Sequence, residues 1–349
     1  MPLSALLKPL TDPTLIFEHF RNCYATELLT VSVVEFNVFS RLVAGPKSFT
    51  ELRTELGLAE RPANVLFTAL RALQLLQCDD GFYSATPAAL EHLVPDGYFS
   101  VGGYVGLVSE APNVRAMAER LRTNRPADNR EDDKGAAFIF REGVESAMDR
   151  EDSARRLTLA LAGRAKNVAP YLAECVSFAN SRTLLDVGGG TGIYAIACLQ
   201  QNPHLTAIVW DRAEVLKVAS EMAAAYGVSS RVECVAGDMF TDPVPNCDTI
   251  LLSNILHDWD VPECKTLLKR CFAALPSGGR VLIHDVFLAD DLGGPLPIAL
   301  YSAALFTLTE GRAYSAGEYR VMLEEAGFVP AKTIMPTLVH CGVLVGTVP

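Results

Sequence analysis

No C-x-x-C pair occurs in this chain. Its nine cysteines, at 23, 78, 175, 198, 234, 247, 264, 271 and 341, are scattered, a usage that reads as reduced, mostly buried thiols and points to neither disulfides nor a cysteine zinc site. No uninterrupted apolar run approaches the roughly 18 residues of a membrane span. The start, MPLSALLKPLTDPTLIF, lacks a basic region followed by a clean apolar stretch and a small-residue cleavage site, so the expectation is a soluble, cytoplasmic protein. Positive charge is short as well, with 30 Lys and Arg against 41 Asp and Glu and a formal charge of −11. Such a field repels phosphate backbones and anionic lipid, so neither nucleic acid nor a membrane is an expected partner. Low-complexity repeats are absent.

What the chain does have is length and apolar content. Its 349 residues, half of them hydrophobic, suit one large domain plus a smaller one. From Pro13 to about Val94 the pattern is helical with short loops, stopping first at Gly45-Pro46. Ser48 is placed to cap SFTELRTELGL, which ends at Gly57, and RPANVLFTALRALQLLQC carries Leu66, Leu70 and Leu73 on one face. Asp80-Gly81 makes a turn, and GFYSATPAALEHLV reads as a hairpin edge leading into a helix. The outline is helix, turn, helix, wing. Its DNA-binding reading is weak, because the second helix carries only Arg61 and Arg71 as basic residues and phosphate contact needs more; a dimerisation or substrate-covering module is the better reading. Between Ala111 and Asp152, ERLRTNRPADNREDDKG is strongly polar and reads as an exposed loop or lid. The helix SARRLTLALAGRAKNVAPYLAECV follows. Strands then alternate with helices near 183–187, 206–210, 231–235, 248–253 and 280–285, which predicts a parallel α/β sheet. The runs KTIMPTL and CGVLVGTV are too close for a crossover helix and so pair antiparallel.

The first of these strands ends in TLLDVGGGTG. Glycine-rich turns between a strand and a helix serve cofactors over the carboxyl edge of a sheet. Gly188, Gly190 and Gly192 give G-x-G-x-G, one residue off the dinucleotide spacing G-x-G-x-x-G. Asp186, at the strand end, repels a pyrophosphate and attracts an amino group. Both features fit the methionine end of S-adenosylmethionine. Asp211 closes the second strand, 25 residues after Asp186, where a carboxylate accepts from ribose hydroxyls. Asp238 follows the third strand, placed to accept from an adenine amine, with Met239 and Phe240 as apolar walls. Singly these acids are ordinary turn residues; their joint order is the signal.

In LLSNILHDWDVPECKTLLKR, Asp260 with Glu263 and Pro262 makes a helix N-cap, so Asp260 is structural. His257 lies between the strand and that cap, at the carboxyl edge, and histidine takes a proton near neutral pH. It is the candidate base. Trp259 reads as packing. His284, beside Asp285, is a second histidine of interest, but His257, Asp258 and His284 match no metal-binding spacing and no metal is expected. His19, His92, His204 and His340 have weaker positions.

LLDVGGGTG, GDMF, LSNILHDWD and EEAGF, in that order behind a winged-helix outline, resemble the small-molecule O-methyltransferases typified by the caffeic acid and acetylserotonin enzymes and their bacterial carotenoid and polyketide relatives. The resemblance covers nearly the whole chain. It implies a Rossmann-like seven-stranded methyltransferase domain (166–349), a winged-helix dimerisation domain (1–100), a helical linker or lid on the substrate pocket (101–165) and a homodimer. It also implies His257 as general base, steadied by an acid at the end of the fifth strand, here Asp285 where plant members have Glu. A second flanking Glu is replaced by Ala313, which leaves the base less well oriented unless Glu310 reaches it. Ser253 stands where plant members often place Lys near the cofactor. The expected reaction is methyl transfer from S-adenosylmethionine to a hydroxyl of an apolar or aromatic small molecule, with Tyr301 and Phe306 as candidate pocket walls. The alternatives are C- or N-methylation on the same fold and a winged-helix regulator.

Overall fold

In the computed structural model, residues 5–125 and 151–349 are described. They fall into two compact units: one holds 5–17, 151–287 and 316–349, the other 18–125 and 288–315. Most of the expected lid, from 126 to 150, lies outside the described residues. Its first part differs from the expectation of a loop, because Pro112–Thr123 is a helix. Val114, Met117, Ala118 and Leu121 recur at helical spacing and are buried, and that stripe outweighs the polar residues around it.

The helical unit is built from local signals. Ser48 caps the helix Phe49–Glu55 through a reciprocal box: its Oγ accepts from the Glu51 N–H and the Glu51 carboxylate accepts from the Ser48 N–H. The helix Glu60–Ala72 buries Leu66, Phe67 and Leu70. After it, strands Leu76–Asp79 and Phe82–Ala85 pair antiparallel across Asp80 and Gly81, whose φ values of 49° and 83° are those a tight two-residue hairpin demands. A two-residue strand at Lys47–Ser48 joins the hairpin's far edge. Tyr83 packs its ring 5.3 Å from that of Phe67, fixing the hairpin to the helix.

The two basic residues of that helix are both committed inside the unit. Arg61 is buried; its guanidinium donates to the Asn124 side chain at 2.9 Å and backbone at 3.0 Å, and to the carbonyls of Thr309 and Gly311, and it lies 4.9 Å from the Phe306 ring centroid. Arg71 donates to the carbonyl and carboxylate of Asp291. Neither is presented to a phosphate backbone.

The other unit carries the sheet. We label its strands β1 (Thr183–Val187), β2 (Thr206–Asp211), β3 (Val232–Ala236), β4 (Thr249–Ser253), β5 (Arg280–Leu288), β6 (Val329–Pro330), β7 (Met335–Pro336) and β8 (Cys341–Thr347). Seven lie side by side in the order β6-β8-β5-β4-β1-β2-β3, and β7 also pairs with β8. β1 to β5 are parallel; β8 runs antiparallel to β5, with β7 returning as a hairpin. Strand order reverses at β1, so β1 and β4 leave the sheet beside a crevice at their carboxyl ends. The helix Ile193–Gln201, buried from Ile193 to Leu199, covers β1, and the helix Glu151–Cys175 packs along it.

Arg61 generates a stability prediction. Replacing it by Leu strands a side-chain oxygen and three carbonyls in the interior, at a cost of about 2–4 kcal/mol. Urea titration of Arg61→Leu should show that loss; a midpoint equal to the parent's would contradict a structural role for Arg61.

Candidate functional site

The glycine turn after β1 obeys two separate constraints. Gly188, Gly190 and Gly192 have φ of 60°, 59° and 68°, the left-handed region that glycine adopts without strain. Gly189 is required by space: a Cβ there would sit 2.8 Å from Cγ of Asp186 and 2.9 Å from Val209. The turn lets the Gly190 N–H donate to Oδ2 of Asp211 at 2.9 Å, and the Arg212 N–H donates to Oδ1 at 2.7 Å. Asp211 is thereby held at the carboxyl end of β2.

A cleft opens here, entirely within the sheet unit. It is lined by Asp186, Gly188, Gly189 and Gly190, by Asp211 and Met239, by Ser253, Asn254, Asp258 and Trp259 after β4, and by Thr158, Leu161, Arg164 and Ala165 from the helix Glu151–Cys175. Asp186 is 1% exposed, and neither carboxylate oxygen has a hydrogen-bond partner among the described residues. Burial pushes its pKa up to about 7, against which the nearby Ala195 N–H offsets only part. A buried acid left open in a cleft is matched by a ligand that brings donors and positive charge.

The structure draws the other expected cofactor residues into two tiers. Met239 reaches the cleft, whereas Asp238 spends one carboxylate oxygen on the Phe240 N–H at 2.8 Å, shaping the turn. Phe240 stands behind Trp259, ring to ring at 4.6 Å, so Trp259 is the aromatic wall. Gly192 caps the following helix and does not line the cleft. Ser253 lines it and exchanges a 2.8 Å hydrogen bond with Nδ1 of His284. That histidine, fully buried, also meets Thr337 at 3.2 Å, and burial drops its pKa to about 3, so it stays neutral and structural.

His257 sits on a single helical turn, Leu256–Asp258, tied down by the Cys264 thiol donating to the Leu256 and Trp259 carbonyls. Asp260 caps the next helix by accepting from the Val261 N–H. The imidazole is buried; its Nδ1 lies 2.7 Å from Oδ1 of Asp285, and its Nε2 lies 3.6 Å from Oδ1 of Asp258. Burial alone would lower the His257 pKa, but Asp285 and Asp258 outweigh it and raise it above the ordinary value. Burial likewise acts to raise Asp285, yet His257 beside it and the hydrogen bond hold its pKa down. Ionised Asp285 accepts from Nδ1–H, which leaves Nε2 as the basic nitrogen. Burial pushes Asp258 to about 6.

Residues 301 and 306 belong to the other unit. Phe306 is fully buried in that unit's core under Arg61, on the helix Leu296–Leu308, which is apolar on every side. The Tyr301 ring lies 5.0 Å from the Arg21 guanidinium. Ala313 is buried, its N–H donating to Ser302 Oγ at 3.1 Å, and Glu310 is buried in the same segment. The sequence reading missed Thr158, Arg164, Tyr194, Asn254 and Asp258 as cleft residues. Of these, only Thr158 has a signal in the sequence, its spacing with Leu161 and Ala165, three and four residues apart on one helical face.

The charge left open on Asp186 has a consequence for stability. Its folded pKa lies above the ordinary 3.8, so its contribution is present at low pH and is lost as pH rises from about 4 to about 7. Asp186→Asn stays neutral throughout. In denaturant titrations without ligand it should exceed the parent by up to about 4 kcal/mol at pH 8 and converge with it near pH 4; equal stability at both pH values would mean that Asp186 is already compensated.

The model of the O-methyltransferase domain matches residues 137–329. The chain is 37% identical to a 3-hydroxy-5-methyl-1-naphthoate 3-O-methyltransferase of Streptomyces sahachiroi over 325 residues, 92% of this chain and 91% of that one. Among solved structures, an O-methyltransferase family 2 protein from Planctomyces limnophilus in complex with apigenin superposes with a TM-score of 0.89 at 46% identity, covering 99% of both chains. Human N-acetylserotonin methyltransferase in complex with S-adenosylmethionine shares the fold, with a TM-score of 0.58 at 22% identity over 98% of this chain and 99% of that one. A glycine turn, an open buried acid and an acid-backed histidine on one sheet edge therefore belong to a member of the O-methyltransferase family, an enzyme that uses S-adenosylmethionine.

Proposed function

We propose that this enzyme methylates a hydroxyl on an apolar, aromatic small molecule, with His257 removing the hydroxyl proton. The observation that carries this reading is the buried His257–Asp285 pair, which fixes Nδ1 as donor and Nε2 as proton acceptor beside the carboxyl edge of β4. When bound, S-adenosylmethionine would supply a methyl group on a positively charged sulfur, the sulfur leaving as the neutral thioether of S-adenosylhomocysteine when the acceptor oxygen takes the methyl. The chain's own residues do the rest. Asp186 meets the ammonium of the methionine end, Asp211 accepts from the ribose hydroxyls, and Met239 and Trp259 wall the adenine, while Asp238 and Phe240 hold that wall and Ser253 borders the cleft. His257 takes the acceptor's proton at Nε2, and Asp285 holds the imidazolium that forms. Positioning within the cleft contributes much of the remaining rate. An aromatic acceptor accords with the hydroxynaphthoate named for the Streptomyces relative and with apigenin in the Planctomyces structure.

The test is His257→Ala under single-turnover conditions. A phenol-like hydroxyl is largely protonated at neutral pH, so loss of the positioned base should lower turnover by about 10²- to 10⁴-fold with cofactor affinity kept. Because Asp285 and Asp258 raise the His257 pKa, the parent's rate should fall as pH drops through a value above 6.5. A variant within a few-fold of the parent, with no acid limb, would move carbon or nitrogen methylation ahead.

The helical module reads as a winged-helix dimerisation domain over 1–100, followed by an acceptor-covering region at 101–165 and the cofactor domain at 166–349, with Leu288–Ser315 serving the helical side. Support comes from Arg61 and Arg71 being consumed internally and from exposed Tyr98, Tyr104 and Leu107, at 95%, 79% and 75% of full exposure, in one short apolar stretch. A second copy covers such a surface. Light scattering should give the dimer mass at micromolar concentration, and a monomer would overturn this assignment.

A further inference from the structure

The carboxylate that orients His257 is itself held by three groups. Oδ1 of Asp285 accepts from His257 Nδ1 at 2.7 Å and from the Val286 N–H at 2.8 Å; Oδ2 accepts from the Tyr319 hydroxyl at 3.3 Å. Tyr319, on the helix Ala316–Ala326, is fully buried, with its ring edge-on to Phe287 at 5.8 Å between centroids. Resting on the general-base reading above, we propose that Tyr319 is a positioning residue for the methyl transfer: its hydroxyl locks the second oxygen of Asp285, and so the plane of the carboxylate and the tilt and tautomer of His257.

The argument is geometric. A carboxylate gripped through one oxygen alone rotates about its Cβ–Cγ bond, and an imidazole hydrogen-bonded to it follows. Gripping both oxygens from opposite sides removes that rotation. Asp285 is one methylene shorter than Glu, so it cannot reach past its own strand, and the donor must come to it. The helix Ala316–Ala326 brings one. The same bond drains negative charge from Asp285, so it also sets how strongly His257 holds its proton.

Tyr319→Phe removes one oxygen and leaves the ring. In the full-length protein without acceptor or cofactor, the His257 pKa followed by imidazole NMR should rise relative to the parent, and the acid limb of turnover should move up with it. kcat should fall about 3- to 10-fold, the loss expected for one hydrogen bond, with the affinity for S-adenosylhomocysteine unchanged. In an Asp285→Asn background, adding Tyr319→Phe should cost little more, because the tyrosine acts through that carboxylate. An unmoved His257 pKa with unmoved kcat, or a loss that simply adds to that of Asp285→Asn, overturns the proposal. If Tyr319→Phe folds poorly, 3-fluorotyrosine at 319 serves instead: its more acidic phenol donates more strongly and should shift the His257 pKa downward, and no shift overturns the proposal. The NMR titration needs no catalysis, so a failure of the general-base reading, seen as an active His257→Ala, remains distinguishable from a failure here.

Discussion

The 2.7 Å contact between His257 and Asp285 joins two adjacent strands at their carboxyl ends, and the arrangement of the cleft follows from it. β4 and β5 are parallel and in register, Ser253 opposite His284. Asp285 is therefore the next residue along β5, and a chain leaving β4 must turn within four residues to lay an imidazole on it. The short turn Leu256–Asp258, pinned by Cys264 and stopped by the Asp260 cap, makes that return. Sheet spacing sets the separation, and the turn sets the angle. The rest of the loop has little freedom left, which is why Asp258 and Trp259 emerge on the cleft side.

Two buried acids in this unit have opposite fates. Asp285 is satisfied on both oxygens and kept ionised by its histidine. Asp186, as deeply buried, has neither oxygen satisfied among the described residues and is pushed towards neutrality. Desolvation acts on both in the same direction, so the difference lies in whether the protein supplies the partner. On the proposed function, the partner supplied by the chain makes Asp285 a fixed support for the base, and the partner withheld leaves Asp186 for a ligand to complete.

Periodicity and turn chemistry made the sheet legible from sequence. β1, β4 and β5 are mostly buried apolar runs, and three glycines at alternate positions announce a backbone in the left-handed region. The acids at 186, 211 and 285 stand out in the sequence because each follows an apolar run; only Asp211 ends its strand, Asp186 lying one residue and Asp285 three residues before the end of theirs. The contributions of Arg164 and Tyr319 were not, since they reach the site from helices 90 residues from Asn254 and 34 residues from Asp285, and nothing in local pattern specifies such a contact. Trp259 read as packing because an aromatic next to a cap is ordinarily that; here it packs on Phe240 and walls the cleft at once. Phe306 lies in the helical unit's core, on a helix so apolar all round that its pattern does not single out one face.

The helical unit illustrates how a fold outline and a function separate. A helix, a second helix and a hairpin satisfy the topology of a DNA reader, but reading DNA requires cations left free at the surface. Arg61 is turned inward onto Asn124, Thr309 and Gly311, and Arg71 is tied to Asp291. Three of those four partners come from the segment 288–315, which the chain reaches only after completing five strands of the other unit. The positive charge that would grip a phosphate backbone instead holds a returning piece of the same chain, and a net charge of −11 does nothing to replace it. The same two arginines thus supply ties that bind sequence-distant segments into one helical core.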